Sequence, residues 1–438
     1  MKLSPVIHPL IYIVRDIERA LGMLPGANSL GDTACNYFII TNRTPYAERV
    51  QAQYPDNVWL VGGGADGAGN AQSESLDTHE ILALPEVVQS ITKSTVEEHA
   101  RIVVFKNTKQ IEKIASERGW VLLNPSAALA ETIENKITQV AWLGELAAYL
   151  PAHKIQKIKD VKPEYADKKI VPFIIQWAHS HTGDGTILIS DEKELTALRE
   201  KFPEREARIS AFIKGPSFTM NVIAAPTTST LPHEANISYQ ITGALPFTEN
   251  PWSTIGNDWS VTHSILSEKN LAEIQEMTAK ISEKMHTAGW RGLFGIDLIY
   301  DEERDEIRLI EINARQPAST SFESQLQLGL RIAGVPGVTT FEAHLSALIA
   351  TPVKSATKKS VGEHSIHIND GAQIIQRVTT TIKALDTKKL EDEGFVTIPY
   401  INTKPNTDLL RIQSLRGIME SHNKFNVRGK KIIEIVTQ

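Results

Sequence analysis

The chain has 438 residues, of which 41% are hydrophobic and 22% charged, and its formal net charge at pH 7 is -6. This length predicts two to four domains or subdomains, and the composition is that of a soluble globular protein. The sequence has no long basic block, which argues against nucleic acid as a partner. It also has no apolar run near the ~20 residues of a membrane-spanning helix, which argues against a membrane protein.

The single cysteine, Cys35, excludes a disulfide within the chain and suits a reducing compartment such as the cytoplasm. A lone cysteine could be a nucleophile, but a small buried side chain is its commoner role. The opening stretch "MKLSPVIHPLIYIVRDIERA" has a basic residue and an apolar run, but prolines interrupt it and no convincing cleavage site follows. We therefore interpret it as a first strand and helix rather than a signal peptide, and expect a cytoplasmic protein.

The first 125 residues alternate between apolar strand-like and amphipathic helix-like stretches. "CNYFIITNRTPYAERV" predicts a strand followed by a helix, "NVWLVGGG" a strand, and "ARIVVFKNTKQIEKIASERGWVLLN" strand, helix and strand. This order predicts an α/β domain with a parallel sheet over residues 1–125. The glycine-rich "VGGGADGAGNAQSES" is a predicted loop, and it has neither the ending of a P-loop nor the spacing of a dinucleotide-binding turn.

The central region predicts a helix followed by several strand pairs. Residues 126–150 have a helical pattern that Pro151 ends, and "IVPFIIQWAHSHTGDGTILIS" predicts two strands joined by a glycine-containing turn. "RISAFIKGPSFTMNVIAA" predicts two strands around Gly215 and Pro216, and residues 267–290 predict a long amphipathic helix. A polar, lysine-rich linker follows residue 350. We expect an α/β protein, α+β in parts, with regions 1–125, 126–350 and a small C-terminal region 351–438.

The stretch "GLFGIDLIYDEERDEIRLIEINAR" predicts a hairpin that carries a metal site. Residues two apart in a strand point to the same face, so Glu311 and Asn313 project together, and antiparallel pairing brings Asp297 close to them. Two carboxylates this close repel each other, and burying them without compensation is costly. Mg²⁺, or the similar Mn²⁺, would remove the repulsion because it prefers oxygen ligands. Two surface acids are the alternative, which the apolar flanks of both strands disfavour.

Arg315 lies two residues after Asn313, so the same alternation predicts that its side chain projects on the face of Glu311 and Asn313. A fixed guanidinium beside a metal suits a developing phosphate or acyl-phosphate charge. On its own, this position is equally compatible with an ordinary surface arginine.

The predicted turn "HSHTGDGT" has the composition of a phosphate-binding loop. Gly183 and Gly185 allow close approach of the backbone, whose successive N–H groups can form an anion-binding nest. Thr182 and Thr186 add hydroxyl donors. Many hairpins end in Gly-Asp-Gly, so this turn alone is a weak signal.

Taken in order, these motifs resemble the ATP-grasp superfamily of ligases over residues 131–320. In that family an aspartate, a hairpin turn and Glu-x-Asn hold one or two magnesium ions, which matches Asp297, Glu311 and Asn313. "FIKGPSFT" is similar to the hinge of the D-alanine–D-alanine ligase branch. "EINAR" is closer to the biotin carboxylase branch, where an arginine two residues after the asparagine contacts the acid being activated, which matches Arg315.

The resemblance also implies a nucleotide-binding set. Lys136 would contact an ATP phosphate, and Gln176 stands where the family usually has a second lysine, so that we expect a lysine there to leave nucleotide affinity unchanged or to improve it. Ser210 and Ser217 stand where the family often has glutamates. The expected nucleotide contacts are Lys136, Gln176, Thr182, Gly183, Gly185 and Thr186 for the phosphates, the backbone of Ala211, Phe212 and Ile213 for adenine, and Ser217 for ribose.

The resemblance implies an ATP-dependent, ADP-forming carboxylate–amine ligase with ATP and Mg²⁺ (or Mn²⁺) between two subdomains of region 126–350. Arg315 and Lys136 would be its catalytic residues. The expected partners are a small-molecule carboxylate and an amine or similar nucleophile, such as an amino acid or peptide, and a homodimer is left open. The alternatives are an ATP-dependent kinase or carboxylase on the same fold, and a non-catalytic nucleotide-binding protein.

Overall fold

The computed structural model describes residues 10–24, 37–62, 75–94, 99–166, 169–179, 185–224, 235–349 and 364–438. Cys35, Thr182 and Gly183, which the sequence singled out, lie outside these residues. A search of the described ranges for a helix long and apolar enough to cross a membrane found none.

The N-terminal region is built on a parallel sheet, as the sequence predicts. Its five strands have the order β3-β2-β1-β4-β5, and every neighbouring pair is parallel. Apolar side chains cover both faces, as expected for a sheet between helices. The elements are β1 (Leu10–Ile13), β2 (Tyr37–Asn42), α1 (Pro45–Gln53), β3 (Val58–Val61), α2 (Thr78–Ala83), α3 (Pro85–Ser94), β4 (Arg101–Val104), α4 (Lys109–Glu117) and β5 (Val121–Leu122).

Two predicted helices differ from those in the structure. After β1 the chain forms two short 3-10 turns, Ile17–Arg19 and Leu21–Met23, in place of the predicted first helix. The single helix predicted for residues 126–150 is divided into α5 (Ala127–Glu134), α6 (Thr138–Leu143) and a 3-10 helix, Gly144–Tyr149.

The break between α5 and α6 has a local cause. The side-chain oxygen of Asn135 accepts hydrogen bonds from the backbone N–H groups of Ile137 at 2.9 Å and Thr138 at 3.3 Å, which supports the start of a new helix. The backbone N–H of Lys136 instead bonds to the carbonyl of Ala178 at 3.0 Å. Lys136 is therefore held at a fixed point next to a strand of the following sheet.

A four-stranded antiparallel sheet follows, with the order β10-β9-β11-β6. The predicted hairpin is the pair β9–β10, in which Gln176 faces Thr186. The elements of this part are β6 (His153–Lys157), the ribbon β7 (Tyr165–Ala166) and β8 (Lys169–Ile170), β9 (Phe173–Trp177), β10 (Thr186–Ile189), α7 (Glu192–Lys201) and β11 (Glu206–Ala211).

The remaining long strands form one eight-stranded antiparallel sheet, with the order β16-β15-β12-β13-β14-β17-β19-β18. Its strands are β12 (Ser217–Ala224), β13 (Ile237–Thr242), β14 (Thr254–Asp258), β15 (Gly292–Asp301), β16 (Glu306–Asn313), β17 (Ala372–Arg377), β18 (Val396–Pro399) and β19 (Asp408–Ser414). The helices are α8 (Thr262–Ile265), α9 (Glu268–Thr287), α10 (Thr320–Ile332), α11 (Thr340–Ile349), α12 (Thr387–Asp392) and α13 (Val427–Val436), and a ribbon pairs β20 (Met419–Ser421) with β21 (Lys424–Phe425).

This sheet continues across the region limit expected near residue 350, because β17 pairs with β14 and β19 pairs with β17. The residue limits 1–125, 126–350 and 351–438 stay predictions. The C-terminal strands nevertheless share a sheet and an apolar core with the strands before residue 350.

The two faces of the eight-stranded sheet differ in polarity. Phe218, Met220 and Ile296 belong to the apolar core that also includes residues of α9. On the strand positions between them lie Thr219 and Asp297, which are neighbours in the register of β12 and β15. Strand alternation thus sends one set of side chains into the core and the other set to the face that carries the predicted metal residues.

Gly215 lies between β11 and β12, where the chain passes from the four-stranded to the eight-stranded sheet. A Cβ atom added at Gly215 would overlap the backbone oxygen of Tyr300. We therefore expect Gly215→Ala to lower the free energy of unfolding by about 1–3 kcal/mol, because backbone atoms must move to relieve the overlap. Chemical denaturation measures the change.

Gly329→Ala is the matched control for this substitution. Gly329 lies within α10, and an added Cβ there meets no atom within 4 Å. Alanine should leave stability unchanged or raise it by up to about 1 kcal/mol, because it is the better helix former. Equal stabilities of the two variants would contradict the close approach at Gly215.

Candidate active site

The hairpin β15–β16 brings the predicted metal residues together. Asp297 is the register partner of Glu311, and Gly295 is the partner of Asn313. The side-chain amide of Asn313 donates to Asp297 Oδ2 at 2.9 Å. Three oxygen-bearing side chains from two neighbouring strands therefore meet at one place, as the sequence predicts.

A β-bulge next to Asp297 has a consequence for this site. Asp297 pairs with Glu311 and Leu298 pairs with Leu309, so Ile310 has no partner in the register of β15. Its carbonyl oxygen instead accepts a hydrogen bond from Arg208 Nη2 at 2.8 Å. The bulge thus connects the strand of metal residues to β11 of the four-stranded sheet.

The two carboxylates have different electrostatic environments. Burial and the nearby negative charge of Glu311 raise the pKa of Asp297 to about 7. Burial acts in the same direction on Glu311, but the charge and hydrogen bond of Lys136, together with the charges of Arg208 and Arg315, outweigh it and hold the pKa of Glu311 below its usual value. Lys136 Nζ lies 2.6 Å from Glu311 Oε2. One carboxylate therefore has a cationic partner, while the other is destabilised as an anion.

Asp297 is held by neutral donors. Its Oδ1 accepts from Gln240 Nε2 at 2.9 Å, and its Oδ2 accepts from Asn313. Neutral amides orient a carboxylate without cancelling its charge. These two bonds therefore leave the negative charge of ionised Asp297 uncompensated, and a bound cation would stabilise it.

The residues present fit a magnesium ion. Two carboxylates and an amide oxygen are hard oxygen ligands, and a divalent cation would relieve the repulsion that raises the pKa of Asp297. Among the described residues, no cluster of three or more His, Cys, Asp or Glu side chains could hold a metal. The set of Asp297, Glu311 and Asn313 contains two such residues and an amide, so waters or phosphate oxygens would complete its coordination.

Arg315 is fixed directly beside these residues. Its Nη2 donates to Asn313 Oδ1 at 3.2 Å, and its Nε lies 3.4 Å from Glu134 Oε1. Glu134 also accepts from Lys106 Nζ at 2.6 Å, and the Arg315 guanidinium lies 5.8 Å from the centroid of the Phe105 ring. Arg315 is thus positioned between the metal residues and the carboxyl end of β4, where parallel sheets commonly bind ligands.

Gln316 completes the connection to the N-terminal sheet. It accepts a hydrogen bond from the hydroxyl of Tyr12 at 2.5 Å and donates from Nε2 to the carbonyl of Arg19 at 2.7 Å. The site residues at the end of β16 are therefore held against β1 and the turn that follows it.

Gln176 has a different environment from the one expected. Its Oε1 accepts from Arg208 Nε at 3.1 Å and from Arg208 Nη2 at 2.7 Å. Gln176 and Arg208 are register partners in β9 and β11, and both are buried. The sequence led us to expect Gln176 in place of a phosphate-binding lysine, but it did not reveal that Gln176 binds Arg208.

The other residues expected to bind nucleotide lie near the junction of the two sheets. Ala211 ends β11, Phe212 and Ile213 follow it, and Ser217 begins β12. The Phe212 ring packs edge-on against Trp252, with centroids 6.5 Å apart. Gly185 and Thr186 lie at the start of β10, with Gly185 accepting from the backbone of Trp177 at 3.1 Å. The roles of these residues stay predictions.

Sequence reasoning missed Arg208, Gln240 and Glu134. In "EARISA" the alternation puts Arg208 on the face opposite Ala207 and Ile209, which pack in an apolar core, so the local pattern does not mark it as buried. Gln240 and Glu134 carry no local signal, because their contacts with Asp297 and Arg315 join residues far apart in sequence.

Comparison with known proteins identifies a domain within the chain. The family model of the ATP-grasp domain matches residues 133–319. No curated protein has significant similarity to the sequence.

Solved structures of similar fold cover nearly the whole chain. Carboxyaminoimidazole ribonucleotide synthase from Aspergillus clavatus, complexed with ATP, is 15% identical, with 98% of each chain covered and a TM-score of 0.59. N5-carboxyaminoimidazole synthetase from Staphylococcus aureus, complexed with ADP, is 11% identical, with 99% of this chain and 98% of that chain covered and a TM-score of 0.59. L-amino acid ligase from Bacillus licheniformis is 13% identical, with 99% of this chain and 98% of that chain covered and a TM-score of 0.60.

At these identities the structural likeness concerns the fold. The expected α/β architecture, α+β in parts and with an N-terminal parallel sheet, is confirmed, and the structure joins the predicted strand pairs into a large antiparallel sheet. The resemblance stated from the sequence motifs is thereby confirmed: residues 133–319 of the chain form an ATP-grasp domain.

Proposed function

We propose that this protein is an ATP-dependent ligase that activates a small carboxylic acid as an acyl phosphate and joins it to an amine or similar nucleophile. The observation that carries the proposal is the cluster of Asp297, Glu311 and Asn313, with Lys136 bonded to Glu311 and Arg315 bonded to Asn313. Metal-binding oxygens, a phosphate-binding cation and a carboxylate-binding cation are the three elements that this chemistry needs at one place.

The proposed reaction has two steps. An oxygen of the acid attacks the γ-phosphorus of ATP, the bond from that phosphorus to the β–γ bridging oxygen breaks, and ADP leaves. The amine then attacks the acyl carbon, phosphate leaves with the electron pair of the C–O bond, and the amine loses a proton. Mg²⁺ held by Asp297, Glu311 and Asn313 would supply charge neutralisation at the phosphate oxygens.

The side chains of the protein would position the reactants. Arg315, fixed between Asn313 and Glu134, would bind the acid and then the acyl phosphate with its guanidinium. Lys136 would exchange its bond to Glu311 for a phosphate oxygen when the nucleotide binds. Gly185 and Thr186 at the start of β10, and backbone groups of the junction after β11, would complete the nucleotide site.

The solved structures of similar fold support small-molecule substrates. One structure of the Aspergillus clavatus enzyme contains ADP and 5-aminoimidazole ribonucleotide, and the Bacillus licheniformis protein is an L-amino acid ligase. Both names involve an amino group as acceptor or substrate. We infer that the nucleophile here is an amine and that the acid is small, with amino acids as the first acids to test.

The direct test of the proposal is turnover with combinations of substrates. The protein is incubated with ATP, Mg²⁺ and a panel of acids and amines, and both phosphate and ADP are measured. Phosphate release that requires an acid and an amine together supports the ligase. A stable phosphorylated acceptor would identify a kinase, a carboxylated amine formed from bicarbonate would identify a carboxylase, and tight ATP binding without turnover would identify a nucleotide sensor.

Removal of a metal ligand should abolish most turnover without unfolding the protein. We expect Asp297→Asn, Glu311→Gln and Asn313→Ala each to lower kcat by about 100-fold or more, because each removes an oxygen ligand or its charge. Circular dichroism and thermal unfolding should remain close to those of the wild type. A chelator should have the same effect on turnover, with recovery on addition of Mg²⁺ or Mn²⁺.

Glu303→Gln is the control for these variants. Glu303 is an exposed acid in the turn of the same hairpin, and its substitution should leave kcat unchanged. If any two of the three ligand variants keep wild-type turnover, the metal assignment is wrong.

Arg315→Lys should lower kcat and raise the KM for the acid, while ATP binding stays unchanged. Lysine keeps the charge but cannot bind a carboxylate through two parallel hydrogen bonds or stack on Phe105 in the same way. Steady-state kinetics with the acid varied at saturating ATP measure both parameters. Arg308→Lys, on the same strand but bonded to Glu306 and the Ala148 carbonyl, is the control that should behave like the wild type.

A further inference from the structure

Arg208 is a buried cation whose hydrogen-bond partners are all neutral. It is 3% exposed. Its donors reach Gln176 Oε1 at 3.1 and 2.7 Å, the Ile310 carbonyl at 2.8 Å and Gln139 Oε1 at 3.4 Å. In the described part of the chain it forms no ion pair with a carboxylate.

The nearest negative charge already has a partner. Glu311 follows Ile310 in β16 and its charge favours the protonated form of Arg208, but Glu311 is bonded to Lys136 at 2.6 Å. Lys136 and Arg208 therefore share one carboxylate. The side of the site that faces the four-stranded sheet has an excess of positive charge.

Such an arrangement is costly without an anion. A guanidinium taken out of water needs a counter-charge, and neutral acceptors satisfy its hydrogen bonds without cancelling its charge. Burial lowers the pKa of Arg208 to about 10, which reflects the same cost. A phosphate oxygen would offset it, because guanidinium geometry matches phosphate well.

The orientation of Gln176 follows from the same contacts. A guanidinium has only donors, so the amide oxygen, not the amide nitrogen, must face Arg208. That oxygen accepts two hydrogen bonds from Arg208. The amide oxygen of Gln176 therefore holds the guanidinium of Arg208 in place.

We propose that Arg208 supplies, from β11, the positive charge that faces the phosphates of the bound nucleotide, and that Gln176 is its positioning residue rather than a phosphate ligand. The inference rests on the nucleotide site of the proposed function and assigns a residue within it. It reverses the expectation from sequence for a lysine at position 176. That lysine would remove the acceptor of Arg208 and place a second cation beside it, so affinity should fall.

Calorimetric binding of adenosine, ADP and ATP with Mg²⁺ tests this inference without requiring turnover. Arg208→Gln should weaken ADP and ATP binding by about 10- to 100-fold, because a charge-assisted contact is lost. Adenosine binding should change by less than about 3-fold, since adenosine has no phosphate to contact. A purely structural role of Arg208 would weaken all three ligands alike.

Moving the positive charge from position 208 to position 176 gives a second, more specific test of the inference. Gln176→Lys alone should weaken ADP and ATP binding, and the double variant Gln176→Lys/Arg208→Gln should recover much of it. Gln176 and Arg208 are register partners, so the exchange moves one charge to the adjacent strand on the same face and keeps an amide beside it. Arg208→Lys should retain part of the affinity.

Arg205→Gln is the control for net charge. Arg205 is an exposed arginine just before β11 that stacks on Trp177 at 4.0 Å, and its loss should leave all three affinities unchanged. Wild-type ADP affinity in Arg208→Gln, or equal losses for adenosine and ADP, would overturn the inference alone. If Arg208→Gln does not fold, wild-type ADP affinity in Gln176→Lys overturns it. A wild-type protein that binds no nucleotide would overturn the proposed function together with it.

Discussion

The opposition of Asp297 and Glu311 across β15 and β16 is the constraint on which the rest of the site depends. Two partly enclosed carboxylates at paired positions are unstable together unless other groups compensate them. Lys136 compensates Glu311, while the hydrogen bonds that Asp297 accepts come from neutral groups. The contacts therefore hold the three side chains in place and leave the negative charge of Asp297 without a direct ion pair, an arrangement that the proposed Mg²⁺ would stabilise.

The site draws its side chains from regions that are distant in sequence, and short contacts hold these regions together. Lys136 comes from the break between α5 and α6, Arg208 from the four-stranded sheet, and Arg315 from the end of β16. Each contacts or adjoins the same strand of metal residues. Because all three cations converge on β16, a displacement of that strand would disturb the contacts of all three at once.

The sequence was sufficient for the parts of the site that depend on local pattern. Alternation placed Glu311 and Asn313 on one face, and the charged turn between two apolar runs predicted the hairpin that brings Asp297 to them. The break at Lys136 was missed because a helical pattern does not show that the Asn135 side chain will cap a second helix. Arg208 was missed because its contact with Gln176 depends on the pairing of β9 with β11, which no local pattern determines.

The shared eight-stranded sheet has a consequence for dissecting this protein. β17 hydrogen-bonds to β14, and β19 and β18 extend the sheet beyond it. A fragment truncated after α11 would leave the backbone groups of β14 unpaired along an open edge, which invites association with other chains. The part of the chain up to α11 should therefore not be soluble by itself, because its exposed sheet edge is covered by strands that follow more than 20 residues later in the printed sequence.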